Sequence, residues 1–286
     1  MYHAVKFARL AANKVSANVA AALYRGEIGK DTWIDWHLIP NERPSFAPPP
    51  IKTNFIDIDS SDTSIDLTSS IGGYTPHGRR TGSWEFHVMN NYVRGYDAYK
   101  QWTERYSEIM NYLHHQEIIA ILEDDPGFFY RGRFFVNQWR SDPDRSKITI
   151  EYSAVPFKYE ITASDEDWLW DPFSFVTGVI RNTKSIAVNG SKTINIIGSP
   201  APWQPSFKLE SLNSETMVIY DQFHEVERTL TSDNVGGSYV FADITLRPLG
   251  SDPISASNQD SYGNNIYPFV FTGNGVITVS YRGGSL

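Results

Sequence analysis

The sequence predicts a mainly β protein in two parts: the first packs one α-helix, and the second forms a β-sandwich or jelly roll. Three observations lead to this prediction. Short stretches of alternating apolar and polar residues recur along the chain, one long segment has helical periodicity, and Asn-Gly dipeptides separate runs of β-forming residues near the C-terminus. Aromatic residues make up 14% of the 286 residues, and aromatics favour the half-buried surfaces of sheets.

The helix is predicted at about residues 97–115, in the stretch YDAYKQWTERYSEIMNYLHHQ. Asp97 is a plausible N-cap. The apolar side chains recur at the spacing of one helical face, which indicates an amphipathic helix lying on strands. These side chains are Tyr99, Trp102, Tyr106, Ile109, Met110 and Leu113.

Strands are predicted before and after this helix in the first half of the chain. Residues 2–8 form a first strand, residues 55–59 (FIDID) alternate Ile with Asp, and residues 83–89 (SWEFHVM) alternate again. The apolar face of the last of these holds Trp84, Phe86 and Val88.

Two less regular segments lie between these strands. The Ala-rich arm, residues 10–23, has Val15, Val19 and Leu23 four residues apart, which predicts a short helix or an ordered arm. Residues 40–50 contain five prolines, which hold the chain extended and remove backbone donors. Such a segment is expected to run over a surface or along a sheet edge.

The second half is predicted to be a separate domain. The acidic stretch SDEDWLWDP breaks the pattern, so the domains are placed at residues 1–163 and 164–286. Short strands follow with frequent turn signals, as in a sandwich. Asn189-Gly190 and Asn274-Gly275 are predicted to be hairpin turns, because both residues of the dipeptide accept positive φ.

Composition excludes several functional classes. The chain has no cysteine, so it offers neither a thiolate metal site nor a cysteine nucleophile. Its net charge of −8 disfavours binding to nucleic acid, because no general attraction to phosphate is available. No apolar run approaches the eighteen or so residues of a membrane span, so no membrane partner is expected.

An acidic run, Glu123, Asp124 and Asp125, stands in AILEDDPGFFYRGRF and raises the question of catalysis. A glycosidase needs two carboxyl groups facing each other across a cleft, and neighbours on a strand point to opposite faces. Asp-Pro-Gly is ordinary turn chemistry, so the run is interpreted as the turn of a β-hairpin. A glycosidase remains the weakest alternative.

Metal sites receive little support from the sequence. Aromatics occupy the positions where an EF-hand loop needs ligands after Asp125. A looser calcium site built from Asp57, Asp59 and Asp62 stays open, with a solvated strand face as the preferred interpretation. The adjacent His114 and His115 point about a hundred degrees apart around the helix and cannot share one metal ion, so they are expected to complement the helix dipole.

Two further groups of side chains have both a structural and a functional interpretation. Arg79 and Arg80 are expected to pair with local acids rather than to bind nucleic acid. Trp168, Trp170 and Trp203, near the start of the second half, suit a sugar-binding platform or a protein interface equally well. No catalytic, cofactor-binding or metal-binding residue is assigned, and no cofactor is expected.

The first half also resembles a known family. From about residue 29 to residue 160, GKDTWIDWHLIPNERPSF, KTNFIDI, GSWEFHV, YLHHQ, ILEDDPGFFYRGRF, NQW and ITIEYSAVPFKYE follow one another in the order seen in siphovirus distal tail proteins, especially those of phages of Gram-positive hosts. The closing VITVSYRGG fits the same family. The resemblance implies an N-terminal split barrel or sandwich with one helix and a C-terminal galectin-like β-sandwich.

The resemblance also implies a role. Distal tail proteins are structural hubs at the virion tail tip, in which six copies form a ring between the tail tube protein and the tail-tip adaptor, near the receptor-binding protein. The acidic residues Asp57 and Asp59, or the run 123–125, are hypothesised to line the lumen and to repel passing DNA. The alternative function is a carbohydrate-binding β-sandwich that contacts host cell-wall sugars.

Overall fold

The computed structural model describes most of the chain with defined placement. The described residues are 2–11, 16–59, 62–68, 76–89, 96–114, 116–140, 146–167, 182–197, 201, 204–222, 225–241, 244 and 266–286. They divide into two compact units, one built from residues 1–51 and 77–161 with residue 286, the other from residues 52–76 and 162–285. None of the described helices is long and apolar enough to cross a membrane.

The strands and helices follow one another in a mainly β order, as predicted. In chain order they are β1 (Val5–Leu10), α1 (Ser16–Tyr24), β2 (Lys30–Asp31), β3 (Leu38–Pro40), β4 (Phe55–Asp57), β5 (Ser64–Asp66), β6 (Arg80–Val88), α2 (Tyr96–Leu113), β7 (Glu117–Leu122), β8 (Phe128–Arg140), β9 (Lys147–Ala154), β10 (Lys158–Glu160), β11 (Ile186–Ile197), β12 (Ser206–Leu212), β13 (Thr216–Asp221), β14 (Val226–Thr231), β15 (Ser238–Val240), β16 (Ile266–Ser280) and β17 (Gly284–Ser285).

The first unit is an antiparallel sheet with a helix on each face. Its strand order is β2-β1-β7-β8-β9-β6-β3, and β10 pairs with the first residues of β8. The helix α2 packs on β8 and buries Trp102, Ile109 and Leu113, which confirms the predicted stripe and places the helix one to two residues from its predicted bounds. The alternation predicted for residues 83–89 is confirmed, because its apolar face is buried in the same core.

The described part of the Ala-rich arm from Ser16 onward forms the second helix of this unit, and Val15 lies outside the described residues. The helix α1 buries Val19 and Leu23 together with two alanines and packs on β1 and β7. The strand β7 is therefore buried on both sides: Ile118 belongs to the core beside α2, while Ile119 and Ile121 point to the opposite face and are also buried.

The second unit contains a six-stranded antiparallel sheet organised around β16. The order is β14-β13-β16-β12-β15, and β11 lies along the other edge of β16. The first part of β16 pairs with β13 and its second part with β12, so two consecutive strands share one edge of this long strand. Inward-facing aliphatic and aromatic side chains of these strands form a separate core that includes Phe207, Phe269 and Phe271.

The two predicted Asn-Gly hairpins are wrong. Each dipeptide lies inside a continuous strand, and β11 and β16 pair without a register shift from Ile186↔Ile277 to Ile197↔Ile266. Asn189 faces Asn274 at the middle of this ladder. Positive φ occurs at Gly190 and at Gly273, which precedes the second dipeptide, and both glycines lie within the paired strands.

The turn between β12 and β13 contacts β16 at Gly273 and Asn274. Gly273 has φ +140°, and a Cβ atom there would lie 2.5 Å from the Thr216 carbonyl oxygen. The Asn274 N–H donates to the Ser214 hydroxyl over 3.0 Å, and the Asn213 N–H donates to the Asn274 carbonyl over 2.7 Å. A hairpin turn would need the chain to reverse here, but these contacts hold it extended.

Candidate assembly surface

The acidic run lies in a β-hairpin turn, as predicted. The strands β7 and β8 pair antiparallel from Glu117↔Arg133 to Ala120↔Tyr130, and residues 123–127 connect them. The Asp125 N–H donates to the Leu122 carbonyl over 3.1 Å, which closes the turn.

Each carboxylate of this turn binds a different part of the first unit. Glu123 accepts the Ala4 N–H over 2.8 Å and so extends the ladder between β1 and β7. Asp125 accepts Lys158 Nζ of β10 over 2.6 Å. The run therefore joins separate segments of chain, and its carboxylates do not converge on one open position.

Asp124 is the most enclosed of these acids, with a side chain 8% exposed. It accepts His3 Nδ1 and Arg43 Nε, both over 2.8 Å. Burial works to raise the pKa of Asp124, but the hydrogen bonds and charges of His3 and Arg43 outweigh it and hold the pKa below its usual value. The ionised carboxylate thus links the first residues of the chain to the segment that contains Arg43.

The proline-bearing segment lies across the core rather than along a sheet edge. Phe46, 9% exposed, inserts into a cluster of aromatic rings. Its ring stacks on Tyr130 with centroids 3.9 Å apart and meets Trp84 and Tyr152 edge-on at 4.9 and 4.7 Å. The expectation of a surface path is confirmed for the exposed residues 41–43, 45, 48 and 50, whereas Pro44 and Phe46 are buried.

Side chains replace the backbone partners that this segment lacks. Trp84 Nε1 donates to the Ser45 carbonyl over 2.7 Å, and the Ala47 N–H donates to the Tyr152 hydroxyl over 2.8 Å. Arg80 donates to the Ala47 carbonyl over 2.9 Å and to the Pro156 carbonyl over 2.7 Å. These bonds fix the segment at Ser45 and Ala47, on either side of Phe46.

The predicted pairing of the two arginines with acids is wrong. Arg80 is buried and bonds to carbonyl oxygens, and burial lowers its pKa. Arg79 donates to the hydroxyl and the carbonyl of Ser153 over 2.8 and 2.6 Å. Both arginines hold strands and loops together, an arrangement that charge pairing in sequence does not reveal.

The role predicted for the histidines is also corrected at His114. Its Nε2 accepts the Val136 N–H over 3.0 Å, next to a register shift in β8 between Val136 and Gln138. The ring acts as a hydrogen-bond acceptor for a strand, a contact that the helix-dipole prediction did not include.

Several predicted functional residues lie outside the described part of the chain. These are His115, Trp168, Trp170 and Trp203. Within the described ranges no group of three or more His, Asp or Glu side chains could hold a metal ion, and Asp57, Asp59 and Asp62 are exposed.

Beyond the proline-bearing segment the chain forms a small β arm, residues 52–68, with described residues 52–59 and 62–68. At its base the Lys52 N–H donates to the Pro76 carbonyl over 2.9 Å, and the Leu67 N–H donates to the Asn54 carbonyl over 2.8 Å. Above the base, β4 and β5 pair antiparallel as a separate two-stranded sheet. The prediction of a strand in FIDID is confirmed for its first three residues.

The β arm exposes large apolar side chains on both faces. Ile56 and Ile65 lie directly opposite each other and are 51% and 50% exposed. On the other face Phe55, 53% exposed, lies opposite Asp66 and two residues from Asp57. A two-stranded sheet is marginally stable alone, and exposed apolar groups of this kind mark interaction sites.

The sequence indicates only part of this arm. The alternation of FIDID predicts its first strand, whereas SID at residues 64–66 is too short to indicate the second. Alternation alone does not distinguish a strand in a packed sheet from a strand in an arm whose faces are both exposed.

Comparison with known proteins gives a match in structure only. No protein-family profile matches the chain, and no curated protein matches its sequence. The crystal structure of SPP1 Dit, described as a paradigm of hub adsorption apparatus in Gram-positive infecting phages, matches with a TM-score of 0.51 and 11% identity, over 87% of this chain and 94% of that one.

Two structures of the phage p2 baseplate in its activated conformation also match. The structure with Sr has a TM-score of 0.35 and 8% identity over 99% of this chain and 97% of that one, and the structure with Ca has 0.36 and 8% over 100% and 99%. Likeness at these scores carries no argument about the fold. At the level of fold, the match to SPP1 Dit confirms the resemblance predicted from the sequence: this chain has a mainly β fold similar to that of the SPP1 Dit hub protein.

Proposed function

We propose that this protein is a structural component of a phage tail tip and has no enzymatic role. Six copies form a ring that joins the tail tube to the tail-tip adaptor and to the receptor-binding apparatus. Residues 1–163 form the ring and residues 164–286 form an outward β-sandwich. The observation that carries this proposal is the β arm, which presents apolar side chains on a fold similar to that of a phage hub protein.

The β arm suits assembly through contacts between copies. Phe55, Ile56 and Ile65 are each about half exposed, so burying them against another protein would release apolar surface from water. An arm of one copy that binds a different surface of the next makes a heterologous contact, and such contacts form a ring when the rotation between copies closes.

The acidic turn supports a structural role in a different way. Glu123, Asp124 and Asp125 each bond within their own unit, so a general acid and base would have to be released from these partners first. Which acids line the lumen, Asp57 and Asp59 or the run 123–125, stays a prediction; Asp57 and Asp59 are the exposed ones among them.

Light scattering tests the proposal. The purified 32.4 kDa chain is expected to have six times the monomer mass, and this mass should persist on dilution. The double substitution Phe55→Asp/Ile56→Asp places a charge on each face of the β arm and should reduce the mass to that of a monomer. Ile34→Asp, at a site 70% exposed outside the arm, is the matched control and should leave the mass unchanged.

A monomer at all concentrations, both for the protein alone and with tail tube protein added, would refute the ring. A glycan array separates the alternative function from this one. Retention of a cell-wall sugar by the monomeric arm variant would favour the carbohydrate-binding interpretation, and its absence would remove that interpretation.

A further inference from the structure

The β arm has two chemically different faces. One is aliphatic and is formed by Ile56 and Ile65 at its centre. The other, here called the acidic-aromatic face, holds Phe55 with Asp57 and Asp66 beside it. Over the described residues of the arm there are four aspartates and one lysine, so the arm as a whole is negatively charged.

The sheet of the first unit has a face of the opposite character. Along β6, β9 and β8, the side chains that point away from the aromatic core are mostly polar, and Phe135 lies among them, 37% exposed. We call this the outer face. The pairs Phe135↔Glu151 and Ser83↔Glu151 place these side chains side by side on it.

Cationic side chains outnumber carboxylates on the outer face and its rim. The cations are Arg79, Arg131, Arg133, Arg140 and Lys147, and the carboxylates are Glu85, Glu117 and Glu151. Two of the three carboxylates already bind cations of the same face, Glu117 with Arg131 and Glu85 with Lys147, both over 2.7 Å. An acidic partner therefore meets a surface with an excess of positive charge.

We propose that the acidic-aromatic face of the β arm of one copy docks on the outer face of the next copy, with Phe55 against Phe135. This inference rests on the proposed ring and specifies its contact. Residues two apart on a strand are separated by about 6.6 Å. Asp57 is two residues from Phe55, and Arg133 is two residues from Phe135. Contact between the aromatic rings of Phe55 and Phe135 therefore brings Asp57 within reach of Arg133. Opposite charges in this arrangement orient the arm and favour the correct partner.

The aliphatic face fits the outer face less well. Ile56 and Ile65 would cover charged and hydrogen-bonding groups, such as Glu151 and Lys147, without offering them a partner. Because desolvating polar groups without replacing their hydrogen bonds is unfavourable, the chemistry selects the acidic-aromatic face.

Disulfide crosslinking tests the contact in a chain that contains no cysteine of its own. The double variant Phe55→Cys/Phe135→Cys should link each copy to the next on oxidation and give a ladder of products up to six chains. Either single variant can give at most a dimer, because each copy then has one thiol. Phe55→Cys/Ile34→Cys is the matched control, and it should give no product beyond a dimer.

The outcomes separate this inference from the proposed function. A ring by light scattering with no ladder from Phe55→Cys/Phe135→Cys would overturn the docking site and leave the ring intact. A ladder from Ile65→Cys/Phe135→Cys instead would overturn the choice of face. A monomer by light scattering, both for the protein alone and with tail tube protein added, would refute both.

A charge reversal gives a second, independent measurement. Arg133→Glu should raise the concentration at which half of the ring dissociates by about tenfold. Arg25→Glu, at an exposed helix end, is the control and should change it little. Equal effects of the two substitutions would contradict a specific role for Arg133, and thermal unfolding of both variants establishes that each still folds.

Discussion

Replacing Phe46 by Ala tests whether the proline-bearing segment is held on the sheet by its one buried aromatic ring. The side chain is 9% exposed and touches the rings of Tyr130, Trp84 and Tyr152. Loss of the ring leaves a cavity in a cluster of stiff aromatic groups that cannot easily move together.

The magnitude follows from the buried area. A buried Phe removes roughly 150 Å² or more of apolar surface from water, which at about 25 cal/mol per Å² amounts to about 4 kcal/mol as an upper estimate. Measured Phe-to-Ala substitutions in cores cost about 3–5 kcal/mol. We therefore expect Phe46→Ala to lower the free energy of unfolding of the first unit by about 3–4 kcal/mol.

Urea unfolding followed by Trp fluorescence measures this change, because Trp84 lies against the Phe46 ring. Phe55→Ala is the matched control, since the same substitution on the exposed arm should change the free energy of unfolding by no more than about 0.5 kcal/mol. Hydrogen exchange at the Ala47 amide should also quicken in the Phe46 variant only. A loss of less than about 1 kcal/mol for Phe46→Ala would show that the other contacts of the segment suffice.

Three further predictions concern charge and backbone shape. Because folding lowers the pKa of Asp124, its ionised form stabilises the protein above pH ~4, and this contribution disappears as the pH falls through the lowered pKa. Asp124→Asn should therefore lower the free energy of unfolding at pH 7 by about 1–3 kcal/mol. Urea midpoints measured over a range of pH should also show that the stability of this variant falls less steeply in acid. Gly273→Ala should destabilise the second unit more than Gly190→Ala, although both glycines have positive φ, because only the first meets a backbone oxygen; equal melting temperatures for the two variants would refute the close contact. Burial, with a further contribution from the charge of Asp125, raises the pKa of Tyr130 to about 12. Absorbance titration should therefore detect one tyrosine that ionises late, and Tyr130→Phe should remove it. The free energy of unfolding should fall between pH ~10 and 12, because the unfolded chain loses this proton at a lower pH than the folded chain.

The parts of the fold that the sequence predicted are those set by local periodicity. The helix α2 and the alternation around Trp84 follow from apolar spacing that packing then reinforces. The turn at residues 123–127 follows from the local preferences of Pro and Gly.

The parts that could not be predicted depend on contacts between distant residues. Whether Asn189-Gly190 forms a hairpin turn or the middle of a strand depends on the strand that faces it, and that strand lies about eighty residues further along the chain. The burial of Phe46 and the bonds of Arg80 to carbonyl groups likewise require the folded sheet. For the β arm, the alternation of FIDID predicts a strand but does not reveal that both of its faces are exposed.

The position of β16 has a consequence for the order in which the protein can fold. It pairs with β11, β12 and β13, so three strands made earlier share one partner that is made later. During synthesis each of these strands leaves the ribosome with the edge that will pair with β16 still unpaired. The seven strands of the first unit's main sheet, in contrast, are all made by residue 154. The first unit can thus be ready for assembly while the second is still being made, and the interval between them is when unpaired strand edges are most exposed to aggregation.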